Sequence, residues 1–116
     1  MSGDRSRRRP TSPELNRLRA EIDELDRRIV DLLNVRAELA RAVGHEKAAL
    51  GRRAIRDRER EREVLLRVSI ANEGPMAQVD LLAVYRRLIA SARALEMAER
   101  AGLGRDEDEL PEPPGA

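Results

Sequence analysis

Between residues 15 and 43 the apolar side chains fall at Leu15, Leu18, Ile22, Leu25, Ile29, Leu32, Leu39 and Val43. The intervals alternate between three and four, which marks one face of an α-helix. Ser12 suits the cap of that helix and Pro13 its first turn. The pattern predicts a helix that continues through Gly44 to about Leu50 and ends on Gly51. A glycine inside a helix costs about 1 kcal/mol relative to alanine, so Gly44 implies a close approach or a bend. Thirty-odd residues at a rise of 1.5 Å make a rod of roughly 50 Å. A compact monomer of this length is only about 35 Å across. The seam therefore outruns its own domain, and a second copy of the chain is the simplest cover. An intertwined helical homodimer is the expectation.

Two shorter helices follow. Asp57 is a good N-cap, with Glu59 and Glu61 in the first turns, where the helix dipole favours acids. The stripe of this second helix is Glu61, Val64, Leu65 and Val68. Residues 71–78 contain Asn72, Gly74 and Pro75 and read as a loop. A third helix is predicted from about Val79 to Arg100, with the stripe Leu81, Leu82, Tyr85, Leu88, Ile89, Ala92, Leu95 and with Glu96 one heptad after Ile89. The fold class is all-α, with a long, a short and a medium helix per chain. Composition agrees, since helix formers dominate and Tyr85 is the single aromatic residue. The expected organisation is a disordered basic tail over 1–13, a helical domain over 14–100 and a disordered acidic, proline-rich tail over 101–116.

Several function classes drop out. The chain has no cysteine and one histidine, His45, so thiol chemistry is excluded and a metal centre is not expected. No apolar run approaches the ~20 residues of a membrane span. The basic N-terminus has no apolar segment after it and does not read as a secretory signal. A net charge of +1 offers no global field for nucleic acid. The expectation is a cytoplasmic protein with no nucleic-acid partner and no membrane partner.

The segment 47–61, KAALGRRAIRDRERE, joins the first helix to the second and carries charges that the periodicity turns inward. Arg36 stands where the seam calls for an apolar residue, and Lys47 follows it by eleven residues, on the same face. Asp57, Arg60 and Glu61 open the second helix, and Glu96 sits on the stripe of the third. Each has an ordinary explanation. Arg36 could snorkel or pair with Glu61 or Asp31. Lys47 could be solvated near a helix end, Asp57 could be a plain cap, and Arg60 and Glu61 could belong to a solvated charge run. Glu96 could be an exposed rim acid, and His45 a surface residue. Taken together, they are the parts of a pocket among helices for a small anion that also carries a hydroxyl. Buried charges cost several kcal/mol unless they are paired or bind something.

Read as a pattern, LRAEIDELDRRIVDLLNVRAELARAVGHEKA, then IRDREREREVLLR, then VYRRLIASARALE resembles chorismate mutase of the all-helical class. The resemblance covers about residues 14–100. The opening LRxxIDxLDxxIxxLLxxR and the element RDxxRE carry its specificity. It implies a dimer of crossed long helices with two sites. Each site would rearrange chorismate to prephenate in aromatic amino acid biosynthesis, without cofactor, metal or covalent intermediate. It also implies roles. Arg19 and Arg36 would clamp the carboxylates, and Lys47 would hold the ether oxygen and a carboxylate. Glu61, with the backbone near Asp57, would accept from the ring hydroxyl, Arg60 would organise that end, and Glu96 would sit beside the ether oxygen. Arg19 and Arg36 are 17 residues apart, about 25 Å along one helix. Both can touch one small ligand only if Arg19 comes from the partner chain.

This sequence departs from the pattern in three places. Ala92 replaces the usual serine, Glu96 replaces the usual bacterial glutamine, and the connection from Lys47 to Asp57 is about one residue longer. Other readings stay open. One is a mutase or lyase acting on 4-amino-4-deoxychorismate or isochorismate. Another is a helical module that chiefly binds a partner enzyme of the shikimate pathway and is activated by it.

Overall fold

A computed structural model describes residues 9–53 and 56–108, which form three α-helices and no strand. They are α1, Pro13–Ala49, α2, Arg58–Ala71, and α3, Gln78–Asp108. The all-α expectation holds, in the order long, short, long. The tail readings that fall on residues 1–8 and 109–116 lie outside the described residues. By its internal packing the chain divides into two units, Met1–Val35 and Arg36–Ala116, and the boundary falls inside α1.

In the first unit the start of α1 is capped as its residues dictate. Ser12 Oγ accepts from the Leu15 amide at 3.0 Å, and the Ser12 carbonyl accepts from the Asn16 amide. Pro13 takes the first helical position, where a missing N–H costs nothing. The apolar seam of this unit has no cover within it: Leu18, Ile22, Leu25, Ile29 and Leu32 are 42–67% exposed.

In the second unit α1 ends in a Schellman motif. The Gly51 amide donates to the Ala48 carbonyl and the Arg52 amide to the Lys47 carbonyl at 2.9 Å. Gly51 has φ +72°, which a side chain would strain, so the glycine is required there. Asp57 caps α2 by accepting from the Arg60 amide at 3.0 Å. That hydrogen bond, helped by the charges of Arg52 and Lys47, holds the Asp57 carboxyl below its usual value of 3.8. Asn72 organises the turn to α3. Its amide N–H donates to the Val68 carbonyl, its side-chain nitrogen donates to the Met76 carbonyl and to Gln78 Oε1, and its oxygen accepts from the Gly74 amide.

α3 runs eight residues beyond Arg100, where the stripe predicted its end. No proline interrupts residues 78–108. Two contacts anchor the helix near residue 100: Arg41 Nε donates to Glu99 Oε2 at 3.3 Å, and Arg100 Nη1 donates to the Arg53 carbonyl. Among the described residues no helix is long and apolar enough to cross a membrane.

The buried centre of this unit is small. Ala40 and Ile89 are its buried apolar side chains, and Gly44, Lys47 and Glu96 are buried beside them. Val64, Leu65 and Val68 of α2 and Leu81, Leu82, Tyr85, Leu88, Ala92 and Leu95 of α3 are half-buried. Gly44 is where α1 and α3 touch. A Cβ there would lie 2.8 Å from Glu96 Cα and 3.1 Å from its carbonyl oxygen. Close approach, rather than a bend, explains this glycine.

Two outcomes follow from these contacts. Gly44→Ala gains helix propensity but forces backbone apart, and overpacking costs about 1–3 kcal/mol. Thermal unfolding should show a net destabilisation, with a lower Tm than the wild type. Asp57→Asn keeps a capping oxygen but loses the charge. Because the folded-state pKa of Asp57 is depressed, its contribution is complete above the unfolded value of 3.8 and fades as pH falls through the folded value. Denaturant midpoints should therefore rank the wild type above Asp57→Asn at neutral pH, and the gap should close in acid.

Candidate functional site

Lys47 and Glu96 meet in the interior. Lys47 Nζ donates to Glu96 Oε2 at 3.2 Å, and each residue is 8% exposed. Lys47 lies in the last turn of α1, where the helix dipole favours a cation. Gly44, one turn earlier, brings the backbone of residue 96 close enough for the two side chains to reach each other. A solvated lysine and an exposed rim acid are thereby ruled out.

The pair opens onto a cavity of about 420 Å³, lined wholly by the second unit. Its cationic side chains are Arg36, Lys47, Arg52, Arg60 and Arg93, and its acids are Asp57, Glu61 and Glu96. The apolar wall comes from Leu39, Val43, Val64 and Ile89, with the small residues Ala40 and Ala92. Five cations against three acids suit a doubly charged anion. A low-dielectric wall strengthens each interaction with it.

Arg36, expected on the face of Lys47, is there. Its guanidinium carbon lies 6.0 Å from the Tyr85 ring centroid, at the limit of a cation–π contact. Among the described residues no carboxylate pairs with it, so the ion pair with Glu61 or Asp31 does not form. Glu61 lines the cavity with a side chain 17% exposed, 3.5 Å from Arg56 Nε and 3.6 Å from Arg93 Nε. Glu61 Oε2 and Arg93 Nε are both buried without a hydrogen-bond partner. Asp57 serves as cap and also sits 3.7 Å from Arg52 Nη2. Arg60 stands at the rim, where it pairs with Glu63 at 3.2 Å. Ala92 lines the cavity and offers no donor. His45 is exposed, as expected. Arg19 belongs to the first unit and is exposed there.

The structure thus gathers Arg36, Lys47, Asp57, Arg60, Glu61, Ala92 and Glu96 around one cavity. Sequence reasoning missed Arg52 and Arg93. The signal for Arg93 was present: it follows Ile89 by four residues and precedes Glu96 by three, so it shares their face. Arg52 is brought in by the Schellman turn at Gly51, which periodicity does not describe.

The arrangement can hold an anion between guanidiniums and present an ammonium and an acid side by side to one ligand atom. It can also offer a carboxylate acceptor. The family model for chorismate mutase type II matches residues 18–97. The chain is 38% identical over 87 residues to the bifunctional chorismate mutase/prephenate dehydratase of Aquifex aeolicus, an alignment covering 72% of this chain and 24% of that one. It is 35% identical over 91 residues to the enzyme of the same name from Stutzerimonas stutzeri, covering 75% of this chain and 25% of the relative. The chain therefore spans about a quarter of the length of these relatives. With the family model covering the helices that carry the cavity, the chain belongs to the chorismate mutase type II family.

Proposed function

We propose that this chain rearranges chorismate to prephenate as a cytoplasmic enzyme of phenylalanine and tyrosine synthesis. The buried Lys47–Glu96 contact at the wall of an anion-sized cavity is the observation that carries the reading. Chorismate has two carboxylates, a ring hydroxyl and an ether oxygen, and the cavity's residues suit one carboxylate, the hydroxyl and the ether oxygen. Arg36 binds one carboxylate, with the planar fork that suits such a pairing. Glu61 accepts from the ring hydroxyl, with Asp57 and Arg60 ordering that end. Lys47 and Glu96 face the ether oxygen.

The reaction breaks a C–O bond and forms a C–C bond within one molecule, so no protein group forms a covalent link. Holding the substrate in its compact diaxial conformer removes freedom that the reaction would otherwise lose. Negative charge grows on the ether oxygen as the bond lengthens. The Lys47 ammonium stabilises that charge in a site with little water to reorganise. Glu96, in contact with that ammonium, orients it. Ala92 leaves one carboxylate without a hydroxyl donor, and Arg93 and Arg52 add positive charge along the same walls.

A homodimer with composite sites belongs to the same proposal. The exposed apolar seam of the first unit supports it, because a second copy would cover Leu18, Ile22, Leu25, Ile29 and Leu32. The partner's copy of α1 would bring Arg19 to the second carboxylate. The curated relatives join a mutase name to prephenate dehydratase in one chain, which supports prephenate as the product here.

The direct test follows the loss of chorismate's diene absorbance with purified protein and identifies the product by chromatography. Release of pyruvate, or turnover of the 4-amino analogue alone, would assign a different substrate. Lys47→Ala should lose roughly 100- to 1,000-fold in kcat with a smaller change in KM. A change confined to KM would reassign Lys47 to ground-state binding.

Composite sites have their own signature. Arg19→Ala and Arg36→Ala homodimers should each be nearly inactive. Mixed dimers should regain one working site of the two, read as activity recovered on co-refolding. No recovery would place both arginines outside a shared site.

A further inference from the structure

A second cavity of about 440 Å³ lies between α2 and α3 in the same unit. Its lining includes Arg56, Arg58, Arg62, Arg86 and Arg93 around a single acid, Glu61. Leu65 and Ile89 form its apolar floor. The volume is within the range of small-molecule sites. Five guanidiniums converging on one space repel each other, and one carboxylate cannot offset them.

Arg56, Arg58, Arg62 and Arg86 are exposed and Arg93 is half-buried, so what sets the cluster apart from other surface charges is its pairing. The arginines that α2 turns elsewhere find acids: Arg60 and Arg67 both pair with Glu63, at 3.2 Å and 2.5 Å. Three of the five cavity arginines do not. Among the described residues, Arg58, Arg62 and Arg86 have no carboxylate within ion-pairing distance. Arg56 and Arg93 share only Glu61, at 3.5 Å and 3.6 Å. Neither contact is a hydrogen bond, and Glu61 Oε2 and Arg93 Nε remain buried and unsatisfied. The spacing is also regular. Arg58, Arg62 and Leu65 recur at helical intervals on one face of α2, and Arg86 and Arg93 lie a heptad apart on α3. Planar guanidiniums with free N–H donors match an anion with several oxygens.

We propose that this arginine-lined cavity between α2 and α3 binds a small multiply charged anion, bearing phosphate or several carboxylates, and thereby adjusts the neighbouring substrate cavity. Glu61, Ile89 and Arg93 line both cavities, so they form a common wall. An anion that engages Arg56 and Arg93 withdraws the two cations nearest to Glu61. Glu61 is the acceptor assigned to the ring hydroxyl, so the anion changes substrate affinity more than turnover. This kinetic arm rests on the proposed function, whereas the binding arm does not.

Inorganic pyrophosphate is the probe for phosphate and citrate the probe for polycarboxylate, each titrated calorimetrically into the full-length protein. Sodium chloride holds the ionic strength constant. The expected result is saturable binding of at least one probe, one per chain, at a concentration where chloride gives no heat. Arg62→Gln and Arg86→Gln, which line only the second cavity, should weaken that binding at least tenfold. Without the anion they should leave chorismate turnover unchanged, with circular dichroism confirming the fold. In the wild type the anion should shift KM for chorismate, and in the variants it should not. No saturable binding of either probe overturns the proposal. So does binding that both variants retain, since the anion would then occupy the substrate cavity. Saturable, variant-sensitive binding in a protein that does not turn over chorismate would refute the proposed function and leave this site standing.

Discussion

An ammonium and a carboxylate in contact inside a helical unit form the interaction from which the rest of this structure takes its bearings. Taking each ion out of water costs several kcal/mol, and only close mutual approach offsets it. Lys47 and Glu96 achieve that approach at 3.2 Å because Gly44 removes the side chain that would hold the backbones of α1 and α3 apart. The pair therefore sets the register of one helix against the other. The buried hydrophobic residues beside it are Ala40 and Ile89.

The electrostatics of the surrounding walls follow from that choice. A buried pair neutral in sum leaves the cavity's field to its other members, Arg36, Arg52, Arg60 and Arg93 against Asp57 and Glu61. The excess is positive, and its sources lie on all sides of the space. In the proposed rearrangement no protein group must form a bond. Fixed charges and shape are then sufficient, and they act without the reorganisation that water would require. The imperfect contact of Glu61 with Arg93 and Arg56 has a further meaning here. A carboxylate held by ion pairing alone keeps its lone pairs open to a hydroxyl donor.

The sequence revealed much of this because much of it is local. The seam of α1, the caps Ser12 and Asp57, the Gly51 terminus and the Asn72 turn depend on neighbouring residues, and each was legible. Arg36, Lys47 and Glu96 were legible for a different reason: they interrupt apolar periodicities, so counting places them inside. Arg93 escaped because the stripe of α3 was read for its apolar members. Arg52 escaped because its position depends on a change of backbone direction. The end of α3 was placed eight residues short, since the stripe thins out after Leu95 while Glu99 and Arg100 find partners far away in sequence. Arg58, Arg62 and Arg86 interrupt no apolar stripe, so only the structure shows that they line one cavity.

The Schellman turn at Gly51 bears on how this connection tolerates variation in length. The amide of Arg52 is bonded to the carbonyl of Lys47 itself, so the backbone that carries the ammonium is anchored before the connecting segment begins. At the far end, Asp57 is anchored by its own cap to Arg60. The segment between therefore joins two fixed points and need not hold either. A residue more or less there need not displace either end, so the ammonium and the capping carboxylate can keep their places while the connection varies in length.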